Sequence, residues 1–200
     1  MKKSFFAENR ILISRLVVTP VVVLILLLTP SITKYPLLNV ILEIVGLLIV
    51  VVGVLGRIFS SLFMGNNRDQ KVVSTGIYAT TRNPLYFFSF VGTFGLTLAY
   101  GSLIFSVSFL VFFGLYYYKV IKSEEEYLTK HFKGCYTDYK KNTPRFFPNF
   151  KLFKIENEYV ITSYKSVLKT IIDSSLILVI AILIVLLKNV SPIKGFIYIW

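Results

Sequence analysis

LLNVILEIVGLLIVVVGVL, residues 37–55, carries one ionisable side chain, Glu43, and is long enough to cross a hydrocarbon core of about 30 Å as a helix. Similar runs lie on both sides of it. Toward the N-terminus, Ile11 to Thr29 is apolar except for Arg15 near its start and Pro20 within it. No small-residue cleavage site follows this run, because Thr29-Pro30-Ser31 leads into Lys34-Tyr35-Pro36, so it reads as a span and not as a signal peptide. Toward the C-terminus, Leu85 to Tyr100 and Ser102 to Tyr118 are shorter and are separated by Gly101, the pattern of a tight helical hairpin. The last run, Ser174 to Leu187, reaches spanning length if Val167 to Asp173 extends it. With 55% hydrophobic residues and a mean hydropathy of +0.70, the 200-residue chain has more apolar side chain than one soluble core can hide. The sequence therefore predicts an all-α fold, a polytopic transmembrane helical bundle of about five spans, as one integral membrane domain over residues 1–200.

Charge sets the expected orientation. Of the 22 Lys and Arg, 19 fall before residue 16, between 57 and 82, or between 119 and 169. Five spans place all of these on one side, so the N-terminus and the polar segments are expected in the cytosol. The net charge of +12 then reflects basic residues beside span ends, where anionic headgroups attract them, and no nucleic-acid partner is implied. Membrane lipids and a lipophilic substrate are the partners expected. The single cysteine, Cys135, excludes an internal disulfide and a cysteine-built metal site, and reads as an incidental loop residue. No metal-ligand spacing, Walker loop or dinucleotide fingerprint occurs, and the only histidine, His131, sits in a basic helical segment. No metal is expected.

Within the second run, Gly46, Gly53 and Gly56 lie near one helix face, a smooth stripe that lets another helix approach closely. Glu43 shares that face and reads best as a group bonded to a neighbouring helix. Two polar cassettes interrupt the apolar runs. The first is Gln70-Lys71-Val72-Val73-Ser74-Thr75-Gly76-Ile77-Tyr78, leading into Arg82-Asn83-Pro84-Leu85-Tyr86. The second is Glu124-Glu125-x-x-Leu128-x-x-x-Phe132, followed by Tyr136, Tyr139 and Pro144-Arg145-Phe146-Phe147-Pro148. Gly76 suits a turn, Pro84 suits the first turn of the third span, and Asn83 is expected to cap it. Lys119 to Tyr139 has helical spacing and reads as an extension of the fourth span that Pro144 and Pro148 terminate. Polar groups this close to a bilayer are costly unless paired or used. Carboxylates can bind an ammonium group or ribose hydroxyls, a helix N-terminus can take a carboxylate, and aromatic faces tolerate a cation.

Both cassettes resemble those of the isoprenylcysteine carboxyl methyltransferases and, more broadly, of the membrane methyltransferases that include phospholipid N-methyltransferases. The match runs in order over residues 70–148, within a family core of about 37–148; the span at about 167–187 is extra to that core. The resemblance implies S-adenosylmethionine as cofactor. It implies that Gln70, Lys71, Val72 and Val73 contact the cofactor largely through backbone, that Tyr78, Asn83, Pro84, Leu85 and Tyr86 surround its adenosine and sulfonium portion, and that Glu124, with Glu125 next, meets a polar end. Asn83 stands where many relatives carry histidine, Lys133 where glycine usually follows Phe132, and Val120 where isoprenylcysteine enzymes carry an arginine associated with the substrate.

Methyl transfer from a sulfonium is an in-line displacement that needs no metal and no covalent enzyme intermediate. A carboxylate acceptor needs no base. An amine acceptor must lose a proton, for which Glu125, Tyr136 or Tyr139 are candidates, while Arg145 can hold an anionic acceptor. The expected activity is thus methyl transfer at the membrane to a lipophilic acceptor, foremost a carboxylate such as an isoprenylcysteine-like group. A phospholipid or small amine is the alternative acceptor. A non-enzymatic transporter subunit or scaffold is the alternative of another class.

Overall fold

The computed structural model describes residues 29–65, 67, 70–155, 162–190 and 198–199; the expected first span, up to residue 28, lies outside them. Within the described residues the chain is a bundle of five helices, joined by one two-residue parallel pairing of Thr29–Pro30 with Tyr198–Ile199. Helix α1, Pro36–Met64, starts with proline at its first position, where no intrahelical N–H is lost, and ends at Gly65 with φ +46°. A single turn, α2, spans Ile77–Thr80. Helix α3 is Pro84–Tyr100, α4 is Leu103–Asn142 and α5 is Tyr164–Val190. Three of them, α1, α4 and α5, are long and apolar enough to cross a membrane, and α3 is a shorter apolar helix. The protein is an integral membrane protein.

The second to fifth expected spans coincide with α1, α3, the first half of α4, and α5, which begins even before Val167. The hairpin bend falls at Gly101, whose φ of +83° is a conformation that glycine adopts without a Cβ penalty. Ser102 then caps α4, its Oγ accepting from the Phe105 N–H. Helix α4 carries on past the apolar run to Asn142, as the helical spacing requires, but breaks at Lys133, where φ is +47° and ψ −122°.

The predicted glycine face of α1 is the seam of the bundle. A Cβ at Gly46 would lie 2.6 Å from the Gly95 carbonyl and collide with the Ala99 backbone, and one at Gly53 would collide with the Gly92 backbone. Helices α1 and α3 thus touch main chain to main chain, which favours dispersion contacts and close packing in lipid. On its other side α1 packs against α5, with Val50, Val54 and Ala181 fully or nearly buried together. Glu43 is bonded to a neighbouring helix as expected: its Oε1 lies 2.8 Å from Lys188 Nζ on α5 and accepts from Asn39 Nδ2 at 2.7 Å. Arg57, counted in the sequence among headgroup-facing charges, instead turns into the bundle toward Ser174 and Ser89.

Candidate active site

The two cassettes meet at the end of the bundle where α3 begins. Chain beyond Pro144 runs along the segment before α3: the Arg82 N–H donates to Pro144 O at 2.9 Å, Asn149 N–H to Thr80 O at 2.9 Å, and Gly76 N–H to Lys154 O at 2.7 Å. Thr81 Oγ1 donates to Phe146 O and Tyr139 Oη to Tyr78 O, at 2.9 and 2.7 Å. Gly76, at φ +58°, makes the predicted turn and brings its backbone against the Phe63 ring. Across the gap between α3 and α4, Tyr86 Oη donates to Glu124 Oε2 at 2.8 Å. The Tyr86 ring sits edge-on to Tyr117, 5.3 Å between centroids.

Asn83 does not cap α3. Its Nδ2 donates to Arg145 O at 2.8 Å, so the expected local bond gives way to one that ties the second cassette to the first. Glu125 is buried between two guanidinium groups, 3.1 Å from Arg82 Nη1 and 3.3 Å from Arg145 Nε. These are charge contacts without hydrogen-bond alignment, so Arg82 Nε and Nη1 and Arg145 Nε have no hydrogen-bond partner among the described residues. The Arg82 side chain is 9% exposed and that of Glu125 5%, and one carboxylate faces two arginines. Two guanidinium groups against one carboxylate leave an excess positive charge, which favours an anion or a polar ligand beside them. A cleft of about 270 Å³ opens here, lined by Arg82, Glu125 and Arg145 together with Tyr118, Lys122, Glu126 and Lys140, four basic side chains to two acidic ones. The Arg145 guanidinium lies 5.0 Å from the Tyr118 ring centre.

Tyr136 is buried and packs its ring on Tyr139. Burial raises both phenols well above the ordinary tyrosine range, Glu125 adding to the effect for Tyr136 and the two neighbouring tyrosines for Tyr139. Both are neutral at neutral pH, and Tyr139 donates its proton to Tyr78 O, an environment that opposes the phenolate an amine acceptor would need as base. Pro84 is fully buried at the first position of α3, and the Leu85 carbonyl accepts from Ser89 Oγ at 2.6 Å. Val73 packs near Phe63, Ile77 and Tyr78. Gln70 and Lys71 are exposed on a turn whose N–H groups donate to Asn67 O.

Comparison with known proteins decides the grouping. Residues 36–134 match the phospholipid methyltransferase family. The chain belongs to that family. It is 30% identical over 94 residues to the protein-S-isoprenylcysteine O-methyltransferase of Schizosaccharomyces pombe, covering 46% of this chain and 40% of that one. It is 36% identical over 159 residues to the nickel-cobalt-cadmium resistance protein NccN of Alcaligenes xylosoxydans xylosoxydans, covering 79% of this chain and 73% of that protein. With the cobalt-zinc-cadmium resistance protein CzcN of Cupriavidus metallidurans it shares 29% identity over 116 residues, 58% of this chain and 53% of the relative. No solved structure matches.

For this phospholipid methyltransferase family member the sequence singled out Tyr78, Asn83, Tyr86, Glu124, Glu125, Tyr139 and Arg145, and bonds join each of them to another part of the same cassette assembly. Arg82 belongs to the first motif, but the sequence assigns it no role. Its signal was present, since an arginine directly before Asn-Pro at a span start must find an anion or water, yet Glu125 lies 43 positions away and no local pattern names it. Tyr118, Lys122 and Lys140 read as ordinary interfacial residues, because only the fold of α4 over the first cassette turns them toward one cleft.

Proposed function

We propose that the protein is an S-adenosylmethionine-dependent methyltransferase, acting on a lipophilic acceptor at the cytosolic face of the membrane. The observation that carries this reading is the Tyr86–Glu124 bond, which closes two cassettes 38 residues apart into one half-buried polar site at the start of α3. The donor set fits the cofactor. Glu124 suits its ammonium or ribose hydroxyls, the excess positive charge of Arg82 and Arg145 over Glu125 suits a carboxylate, and Tyr86 and Tyr117 offer ring faces. Gln70 to Val73, Tyr78, Asn83, Pro84 and Leu85 complete the proposed binding segment. When bound, the cofactor supplies an electrophilic methyl group on a sulfonium.

The chain's part is orientation and exclusion of water. Tyr86 and Glu124 fix each other, Asn83 fixes the position of Arg145, and the rings of Phe87, Phe90, Phe113 and Phe146 pack together between α3 and α4. Holding donor and acceptor in line can lower a barrier by roughly 7–11 kcal/mol. We favour a carboxylate-bearing lipid, of the isoprenylcysteine type, over a phospholipid or small amine. A carboxylate needs no base, the cleft beside Arg145 is cationic, and Tyr136 and Tyr139 are held as neutral phenols. Two relatives are named for metal resistance. That property is stated of those relatives, and the methyl-transfer reading rests on the family match and on the Tyr86–Glu124 geometry.

Purified protein incubated with methyl-labelled S-adenosylmethionine and a total membrane lipid extract is expected to yield a labelled lipid carrying a base-labile methyl ester; a base-stable N-methyl product selects the amine. The cofactor alone is expected to raise the thermal midpoint, and Tyr86→Phe and Glu124→Ala to abolish that rise while leaving the unliganded midpoint near wild type. A wild-type protein with no shift and no labelled product refutes the activity.

A further inference from the structure

Helix α5 lies beyond the family-matched residues 36–134, yet polar bonds tie it to both ends of α3. At one end Arg57 Nε donates to Ser174 Oγ of α5 at 3.0 Å, while Arg57 Nη1 donates to Ser89 Oγ of α3. At the other end Lys188 Nζ donates to the last carbonyls of α3, Ala99 O at 3.0 Å and Tyr100 O at 3.2 Å, and to Asn39 Oδ1 at 2.8 Å. Fourteen residues separate Glu43 from Arg57 on α1 and Ser174 from Lys188 on α5. The two grips are therefore about 21 Å apart along both helices, in antiparallel register. Helix α3 has 17 residues, about 25 Å, less than the roughly 30 Å of a hydrocarbon core, so its own length does not set its depth.

We infer that Arg57 is a positioning residue through which α5 holds the first turn of α3, the segment bearing Pro84, Leu85 and Tyr86, in place. Ser89 is the relay: its hydroxyl accepts from Arg57 and donates to the Leu85 carbonyl one turn earlier. Ser174 is fully buried, and Asp173 beside it lies within electrostatic reach of the guanidinium. An apolar side chain of similar volume would pack here at least as well as a guanidinium, because a buried charge is a poor source of net stability. What it could not do is fix two hydroxyls on two helices. The importance of that turn rests on the methyltransferase reading above; the mechanical link from α5 to α3 does not.

The test is hydrogen–deuterium exchange of the full chain in nanodiscs, with S-adenosylmethionine affinity measured by calorimetry on the same preparations. Arg57→Leu and Ser174→Ala are expected to raise exchange within residues 82–90 and to weaken cofactor affinity, tenfold or more for Arg57→Leu and severalfold for Ser174→Ala. Arg57→Lys, which keeps a donor, should recover part of both. Ile184→Ala is the control, since it loosens α5 near the far end of α3. It should lower the thermal midpoint and leave exchange in 82–90 and affinity unchanged. Unchanged exchange in Ser174→Ala, or an equal rise in Ile184→Ala, overturns the inference even where Arg57→Leu does not fold. If wild type binds no cofactor but exchange in 82–90 still responds to Ser174, the positioning link stands and the cofactor reading alone fails.

Discussion

Lys133 shows how a single residue can carry both family likeness and a local penalty. Its φ of +47° and ψ of −122° belong to a region that suits glycine, and the resemblance places glycine at this position, with Gly134 following one place late. A side chain held there costs about 1–3 kcal/mol. Lys133→Gly is therefore expected to stabilise the protein by about 1 kcal/mol, the gain partly offset by the greater entropy of the unfolded glycine chain, and Lys133→Val to destabilise it. Thermal unfolding of both variants in one detergent checks this, and a lower midpoint for Lys133→Gly contradicts it. The departure was visible in the sequence, and the break in α4 falls on it. Asn83 was legible only in part. A side-chain amide before Pro84 can cap its own helix, but the Arg145 carbonyl 62 positions later takes it, and competition over that distance leaves no local trace.

At the scale of elements, glycine spacing was the strongest signal in the apolar runs. The α1–α3 seam follows from the periodicity of Gly46 and Gly53, because a missing Cβ matters only where another backbone comes within reach. Gly53→Leu is expected to prevent the two helices from seating, since the Gly92 backbone occupies the space and main chain cannot move aside as a flexible side chain can. Gly114→Ala, on α4, meets nothing within 4 Å and should fold as wild type. Comparing the yields of monodisperse protein for these two variants checks the seam; equal yields would mean that α1 and α3 tolerate separation. The end of the fourth span was legible as well, though not from apolarity. Apolarity alone ends the fourth span near Tyr118, whereas α4 runs on to Asn142 with a single break, because Lys119 to Tyr139 keeps helical spacing after its apolarity is gone.

For the molecule as a whole, counting charges beside spans separated the cassette end from the Gly101 end but misplaced what Arg57 does, and it left Lys188 as one of three stray cations. Both are cross-helix partners whose acceptors, Ser174 and Glu43, lie 117 and 145 positions away, so no sequence window contains the pairs. Lys188 makes two kinds of bond: a charge pair with Glu43, and bonds to uncharged acceptors, Asn39 Oδ1 and the carbonyls that close α3. A thermodynamic cycle separates them. Lys188→Met leaves Glu43 without its cation inside the bundle and is expected to cost about 3–5 kcal/mol, whereas adding Glu43→Gln removes the orphaned charge and should return a large part of that loss. The contacts with uncharged acceptors are missing from both variants, so they cancel in the comparison. A double variant no more stable than Lys188→Met would assign the energy to the bonds with Asn39, Ala99 and Tyr100, making α5 primarily a hydrogen-bond donor to α1 and the end of α3 and only secondarily an ionic partner of α1.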